Sequence, residues 1–180
     1  ATQMAAFWGE KTVLVSATKG IEEKTLRLMT DGLAETLPNV PQEHIAALSG
    51  PSFAKEVGLG LPAAVTAAAN YHRVATWVQE VFSSDVFRVY TTHDMIGVEL
   101  GGSVKNVIAI ATGACDAMQM GLNARAALLT RAMAEIKRLG LKMGADERTF
   151  IGLSGYGDLI LTCTGELSRN RMVGQKIGQG

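Results

Sequence analysis

The sequence is poor in the residues that build most metal and thiol centres. Its 180 residues include two cysteines, Cys115 and Cys163, and three histidines, His44, His72 and His93. The cysteines are far apart and have no CxxC spacing, which suits a reducing compartment and offers no metal-binding signature. With so few histidines a metal centre would have to be assembled from carboxylates, and no metal is expected. An excess of one charge is also lacking: 17 basic residues face 17 acidic ones. That balance gives neither a nucleic acid nor an acidic membrane surface a reason to be the main partner. The longest uncharged run, Val57 to Tyr71, is broken by Gly58, Gly60 and Pro62, so no integral membrane segment is expected. The first residues, Ala1 to Trp8, lack the basic stretch and long apolar core of a secretory leader. These absences describe a soluble, cytoplasmic protein. At 47% hydrophobic content there is ample material for a packed core, in one ordinary domain or parts of two.

The first half has the cadence of an α/β fold. Thr12 to Ala17 is a short β-rich run, followed by a helical pattern from Glu22 to Leu37 with Leu26, Met29, Leu33 and Leu37 on one face. Pro38 and Pro41 stop that helix. Ile45 to Leu48 reads as a second strand, Ala63 to Ala69 as a third and Phe87 to Thr91 as a fourth. A helix from His72 to Phe82, with Val74, Trp77, Val78 and Val81 inward, separates the last two. Strand, helix and strand in this order predict a mostly parallel sheet, with ligands at the carboxyl ends of its strands. Beyond about Asp94 the pattern is all helical. One helix covers Gly97 to Met118, a second runs from Ala124 to Leu139 with Asn123 as cap and Gly140 as stop, and a last one starts at Ser168. Two domains meeting near residue 94, 1–94 and 95–180, are the simplest division.

Lys105 is the only charged side chain between Leu100 and Gly113. On a helix its neighbours three and four residues away are Gly101, Gly102, Ile108 and Ala109, so its face is small and apolar. Desolvation there lowers an amine's pKa and makes it a proton acceptor near neutral pH, while small neighbours let a ligand approach. A lysine reaching out to solvent, or paired with a carboxylate such as Glu99, is the plainer alternative.

Other segments carry chemistry less exclusively. Lys19 follows the first strand and faces the sheet's carboxyl edge, or is a surface lysine in a turn. Gly50 and Ser52 have the same placement after the second strand, with close backbone approach at the glycine and a hydroxyl at the serine; an ordinary turn explains them nearly as well. Ser168 at a helix start, with Arg169 beside it, presents free N–H groups and a planar fork of donors to a phosphate, or caps a surface helix. Asp158 lies among glycines and apolar residues, placed to orient a lysine or to accept from a substrate hydroxyl, or satisfied within a turn. Cys163 has no histidine nearby in sequence and reads better as a small buried residue than as a nucleophile.

Five ordered segments then carry a resemblance: Ala17-Thr-Lys-Gly20, Gly50-Pro-Ser-Phe-Ala-Lys-Glu56, Gly97 to Ile110 around Lys105, Gly121-Leu-Asn-Ala-Arg-Ala-Ala-Leu128 and Leu167-Ser-Arg-Asn170. In order and spacing the chain resembles the NAD(P)-dependent sn-glycerol-3-phosphate dehydrogenases from about Thr12 to its end. The resemblance implies the C-terminal part of a Rossmann-type α/β domain, followed by an all-α domain of the 6-phosphogluconate dehydrogenase C-terminal type. It implies an oxidoreductase that interconverts sn-glycerol 3-phosphate and dihydroxyacetone phosphate with NAD or NADP, in supply of glycerol 3-phosphate for phospholipid synthesis, and it allows a homodimer. Lys105 would accept the proton of the C2 hydroxyl. Lys19, Gly50, Ser52, Asp158, Ser168, Arg169 and Asn170 would contact the substrate, and Lys19, Ala54 and Arg169 the cofactor. The family's GxGxxG fingerprint occurs nowhere in the chain, so an internal stretch of a longer enzyme is expected, inactive alone. A related hydroxy-acid or phospho-sugar dehydrogenase, or a non-catalytic phosphometabolite-binding helical module, are the alternatives.

Overall fold

The computed structural model describes residue 9 and residues 12–180, and the segment Ala1 to Trp8 read for a leader lies outside them. Four strands, β1 (Leu14–Ser16), β2 (Ile45–Ser49), β3 (Ala63–Ala69) and β4 (Phe87–Thr92), form one sheet in that order. Among them run the helices α1 (Met29–Thr36), α2 (Ala54–Gly58) and α3 (His72–Phe82). The outer pairings β1–β2 and β3–β4 are parallel, as the cadence predicts, but β2 and β3 are antiparallel. A parallel connection needs an element long enough to cross the sheet, and α2 is a five-residue helix. The chain therefore turns back at the same edge. Only β1 and β2 bring their carboxyl ends there, beside the start of β3, where Ser49 pairs with Thr66; the carboxyl ends of β3 and β4 lie at the opposite edge.

The sheet core is made of small and β-branched residues, Ala46, Val65, Ala67, Ala69 and Val89, closed on one face by Val74, Ala75 and Val78 of α3. The inward face of α3 is thus rotated toward Ala75. Trp77, on the other flank, stays 43% exposed and Val81, in the last turn, 56%, contrary to the sequence expectation. The predicted helix from Glu22 is also shorter than expected and begins at Met29. The Glu22 carboxylate accepts from the Lys24 and Thr25 N–H groups, at 3.1 and 2.6 Å, and from the Thr25 hydroxyl at 2.6 Å. Such side-chain to backbone bonds compete with helix. Ile21 bridges Leu28 across the resulting turn, and Leu26 at its tip has φ +57°.

From residue 95 onward the chain is helical: α4 (Met95–Ala117), α5 (Gly121–Met143), α6 (Glu147–Phe150), a π-type turn at Leu153–Gly157, α7 (Asp158–Thr164) and α8 (Arg169–Gln179). Asp94 caps α4 by accepting from Gly97 N–H at 2.9 Å. The start and stop of α5 differ from expectation. Asn123 lies inside its first turn, and Gly144, with φ +93°, ends it in the left-handed conformation that favours glycine. Gly140 lies inside the helix, where it leaves room for the Phe150 ring. Leu100, Ala109, Ile136, Phe150, Leu159 and Cys163 form the helical core. In length and composition α4 matches a bilayer-crossing helix, although Glu99, Lys105 and Asp116 interrupt its apolar run. It is the central helix of this core, with Leu100, Lys105 and Ala109 buried.

The helix α8 lies against α4 through Gly174 and Gly178, which meet the backbone of Ile110 and Ala114, and through Gly113, which meets Arg171 and Gln175. A methyl group at Gly174 collides with main chain. At Gly32 in α1 it meets nothing within 4 Å. Gly32→Ala should therefore stabilise by about 0.5–1 kcal/mol through helix propensity, whereas Gly174→Ala should destabilise by roughly 2 kcal/mol or more through overpacking. Denaturation midpoints of the two variants, expected to shift in opposite directions, check this.

Candidate active site

Two glycines one turn before Lys105 let α4 settle on the sheet edge. A Cβ at Gly102 would lie 2.6 Å from Ser49 Oγ at the end of β2 and 3.4 Å from Cγ of Lys19, and one at Gly101 would lie 2.6 Å from the Ser154 carbonyl in the π-type turn. The helix thereby brings Lys105 against both the β1–β2 edge and the start of α7. Lys105 is 5% exposed, its amine donating to Asp158 Oδ1 and, at 2.8 Å, to Thr162 Oγ1. The other oxygen of Asp158 accepts from Lys19 Nζ at 2.6 Å. Lys19 Nζ also lies 3.5 Å from the Gly50 carbonyl, to which the Ser52 hydroxyl donates at 3.1 Å. Thr162 gives its own proton to the Asp158 carbonyl at 2.7 Å, so its lone pairs remain for Lys105. Ser103 Oγ, 3.0 Å from the Gly20 carbonyl, ties the Lys19–Gly20 turn to α4.

Of the plainer alternatives, Lys105 takes the carboxylate pair, with Asp158 in place of Glu99. It does not reach solvent, and Glu99 is engaged elsewhere, accepting from Thr30 N–H at 3.0 Å and from the Thr30 hydroxyl at 2.5 Å. Burial drives the Lys105 amine down to about 8; the Lys19 ammonium pushes the same way, while Asp158 opposes both. Burial likewise raises the Glu99 carboxyl above its ordinary value. Two ammonium groups on one buried carboxylate leave a local excess of positive charge, which suits an anionic ligand. Gly50, with φ +152°, accommodates the close backbone approach expected of it, since a Cβ there would lie 2.8 Å from Val65 Cα. Beside it Ser49 Oγ is buried without a hydrogen-bond partner among the described residues.

Lys19, Gly50, Ser52, Lys105 and Asp158 thus form one connected set. Ser168, Arg169 and Asn170 stand apart from it, joined by no hydrogen bond to Lys105. Ser168 is buried and caps α8, accepting from Arg171 N–H at 3.2 Å, while the Arg169 side chain is exposed. Ala54, exposed at the start of α2, is connected to that region through Phe53, whose ring packs on Gly165 three residues before the Ser168 cap. Cys163 is fully buried, and burial raises its thiol pKa, as an inert core residue requires. Thr162 and Ser103 were missed by sequence reasoning. Thr162 had a signal, for it lies four residues after Asp158 and so on the same helix face; Ser103 had none.

The architecture is that of a Rossmann-type α/β domain followed by an all-α domain, with a buried lysine–carboxylate set where the two meet. Models of the NAD-dependent glycerol-3-phosphate dehydrogenase N-terminus and C-terminus match residues 1–75 and 94–180. The chain belongs to that family. It is 56% identical over 179 residues to the glycerol-3-phosphate dehydrogenase [NAD(P)+] of Citrifermentans bemidjiense, covering 99% of this chain and 53% of that protein. The enzyme of the same name from Geobacter sulfurreducens is 54% identical over 178 residues, with 99% and 53% covered. Among solved structures, the Coxiella burnetii glycerol-3-phosphate dehydrogenase superposes with a TM-score of 0.92 at 45% identity, covering 99% of this chain and 54% of that one. The Saccharomyces cerevisiae glycerol-3-phosphate dehydrogenase does so with 0.86 at 26% identity, with 99% and 53% covered. The chain spans about half the length of the curated relatives it matches.

A buried amine held near 8 should be visible directly. Lysine side-chain ¹⁵N NMR of the complete protein should show one amine titrating near pH 8 that disappears in Lys105→Met. In Asp158→Asn, which removes the group that favours the charged form, the same signal should titrate lower. An amine that keeps the ordinary lysine value would contradict the assignment.

Proposed function

We propose that the complete protein interconverts sn-glycerol 3-phosphate and dihydroxyacetone phosphate with NAD or NADP, and that Lys105 is the group that takes and returns the proton of the C2 hydroxyl. The observation that carries this reading is the buried Lys105 amine, lowered to about 8 and aimed by Asp158 and Thr162. An amine at that value is poised to be neutral when it accepts and charged when it donates. Asp158 fixes its direction, and Lys19 on the other carboxylate oxygen keeps Asp158 from neutralising Lys105 alone. The remaining positive charge favours a phosphorylated substrate.

The start of α8 supplies the phosphate end in this reading: Ser168 caps the helix, and Arg169 and Asn170 offer main-chain N–H groups and side-chain donors. The residues present fit a nicotinamide cofactor on two observations, the buried hydroxyl of Ser49, without a partner among the described residues, and the close approach that Gly50 permits at the same edge. Lys19, Ala54 and Arg169 would hold it, and when bound it supplies the hydride acceptor. Residues 1–94 would then belong to the nucleotide-binding domain and 95–180 to the substrate domain. Two free, buried cysteines support a cytoplasmic setting. There the product would feed phospholipid synthesis, and the family resemblance suggests a homodimer as the working assembly.

Lys105→Ala in the complete protein should lower turnover by roughly 10² to 10⁴ while leaving the fold intact. The pH dependence follows from which form of the amine acts. Oxidation of the alcohol uses the neutral amine, so its rate should rise with pH and level off above about 8; reduction of the ketone uses the ammonium, so its rate should fall above about 8. Initial rates at 340 nm with sn-glycerol 3-phosphate measure the first, and with dihydroxyacetone phosphate the second. A wild-type protein that binds phosphate but changes no cofactor absorbance would sink the proposal, and faster turnover of 6-phosphogluconate would redirect it.

A further inference from the structure

The Gly121-Leu-Asn-Ala-Arg125 segment has no part in the site so far, yet Arg125 meets a cluster that reaches the start of α8. Asp116, in the last turn of α4, accepts from Nε and Nη2 of Arg171 at 3.1 and 2.7 Å through Oδ2. Arg125 Nη1 approaches the same carboxylate at 3.3 and 3.4 Å. The side chains are half-buried, with 17% exposure for Asp116, 15% for Arg171 and 27% for Arg125. Arg171 is the residue whose N–H the Ser168 hydroxyl caps, at 3.2 Å. One residue therefore holds the first turn of α8 twice, by its backbone to the cap and by its guanidinium to the end of α4.

From this geometry we infer that Asp116 is a positioning residue for the phosphate site, acting through Arg171 with Arg125 as its counterweight. This rests on the reading that Ser168, Arg169 and Asn170 bind the substrate phosphate. The main-chain donors at a helix start bind an anion only in a fixed direction, and Gly113 seats the Arg171 main chain against α4, leaving the guanidinium end of that residue to be held by Asp116. The two bonds from Arg171 that converge on Oδ2 add a second constraint on the same turn. A second guanidinium on the carboxylate prevents Asp116 from following Arg171 if the helix turns. Asp116 itself repels phosphate, so its contribution is geometric rather than attractive. Removing it should weaken phosphate binding even though a negative charge is lost, which is opposite in sign to a simple electrostatic effect.

The test compares the complete wild-type protein with Asp116→Asn, Asp116→Glu and Arg171→Gln. The readout is the ratio of kcat/KM on dihydroxyacetone phosphate to that on unphosphorylated dihydroxyacetone, together with calorimetric binding of inorganic phosphate. Asp116→Asn and Arg171→Gln should each lower the ratio and the phosphate affinity by about tenfold, the loss of a charge-assisted pair. The double variant should be little worse, and Asp116→Glu should restore most of the loss. Equal losses on both substrates, or phosphate binding that is unchanged or tighter in Asp116→Asn, would overturn the inference. If the wild-type protein has no dehydrogenase activity but phosphate affinity still falls in Asp116→Asn, the reaction proposed above fails and the positioning role stands.

Discussion

One carboxylate shared by two ammonium groups determines where everything else in this chain must lie. Asp158 is 139 residues from Lys19 and 53 from Lys105 along the chain, yet it bonds both. Two buried charges beside a half-buried third are expensive to desolvate, and a pair stripped of one partner costs more than no pair at all. The arrangement is tolerable because the carboxylate has an ammonium on each oxygen, and the Lys105 ammonium also donates to Thr162. It follows that the site cannot preform in either part of the molecule. β1 must carry Lys19 to the sheet edge, α4 must lie across that edge, and α7 must start where the two meet, or a charge is left unsatisfied.

Backbone proximity makes this meeting possible, and it is bought with glycine. Gly101 and Gly102 let α4 touch the π-type turn and the end of β2; Gly50 lets β2 turn off against Val65; Gly165 admits the Phe53 ring. Gly101 and Gly102 look like entropy lost from a helix, but each stands where a Cβ would push α4 off the element it touches. The π-type turn belongs to the same device. It ends at Gly157, and Asp158 enters α7 with its side chain already directed at the lysines.

Much of this was legible in the sequence, and the exceptions have physical causes. The strands at 45, 63 and 87, the helix at 72–82 and the cap at Ser168 follow from local pattern because apolar periodicity and capping are local. Lys105 stood out because a charge in an apolar helical face is costly wherever the helix packs. The antiparallel pairing of β2 with β3 was not legible, since strand direction depends on whether the connection can cross the sheet. Nor was the stop of α5. Gly140 and Gly144 look alike in sequence, and only the Phe150 ring, brought in by tertiary packing, decides which one continues the helix. The turn at Glu22 was misread for a different reason: its residues suit a helix, but one carboxylate takes three donors within the turn and competes with the helix there. Ser103 and the Asp116 cluster connect segments with no periodic relation, so no local signal marks them.

Glu99 and Lys105 show why the helix can hold two opposite charges without their cancelling. Six residues apart, they lie about 120° from each other around the axis. Glu99 turns to Thr30 at the head of α1, and Lys105 to Asp158 and Thr162. Had they been four apart they would have formed an ordinary intrahelical pair, and the amine would have been held charged by a carboxylate of its own. Instead its counter-ion is one it must share with Lys19, and that sharing, added to burial, keeps the amine near the pH at which a proton can be passed in either direction. Burial, and after it the shared carboxylate, thus set the titration of the group, and the docking of that helix on the sheet edge sets what the group can reach.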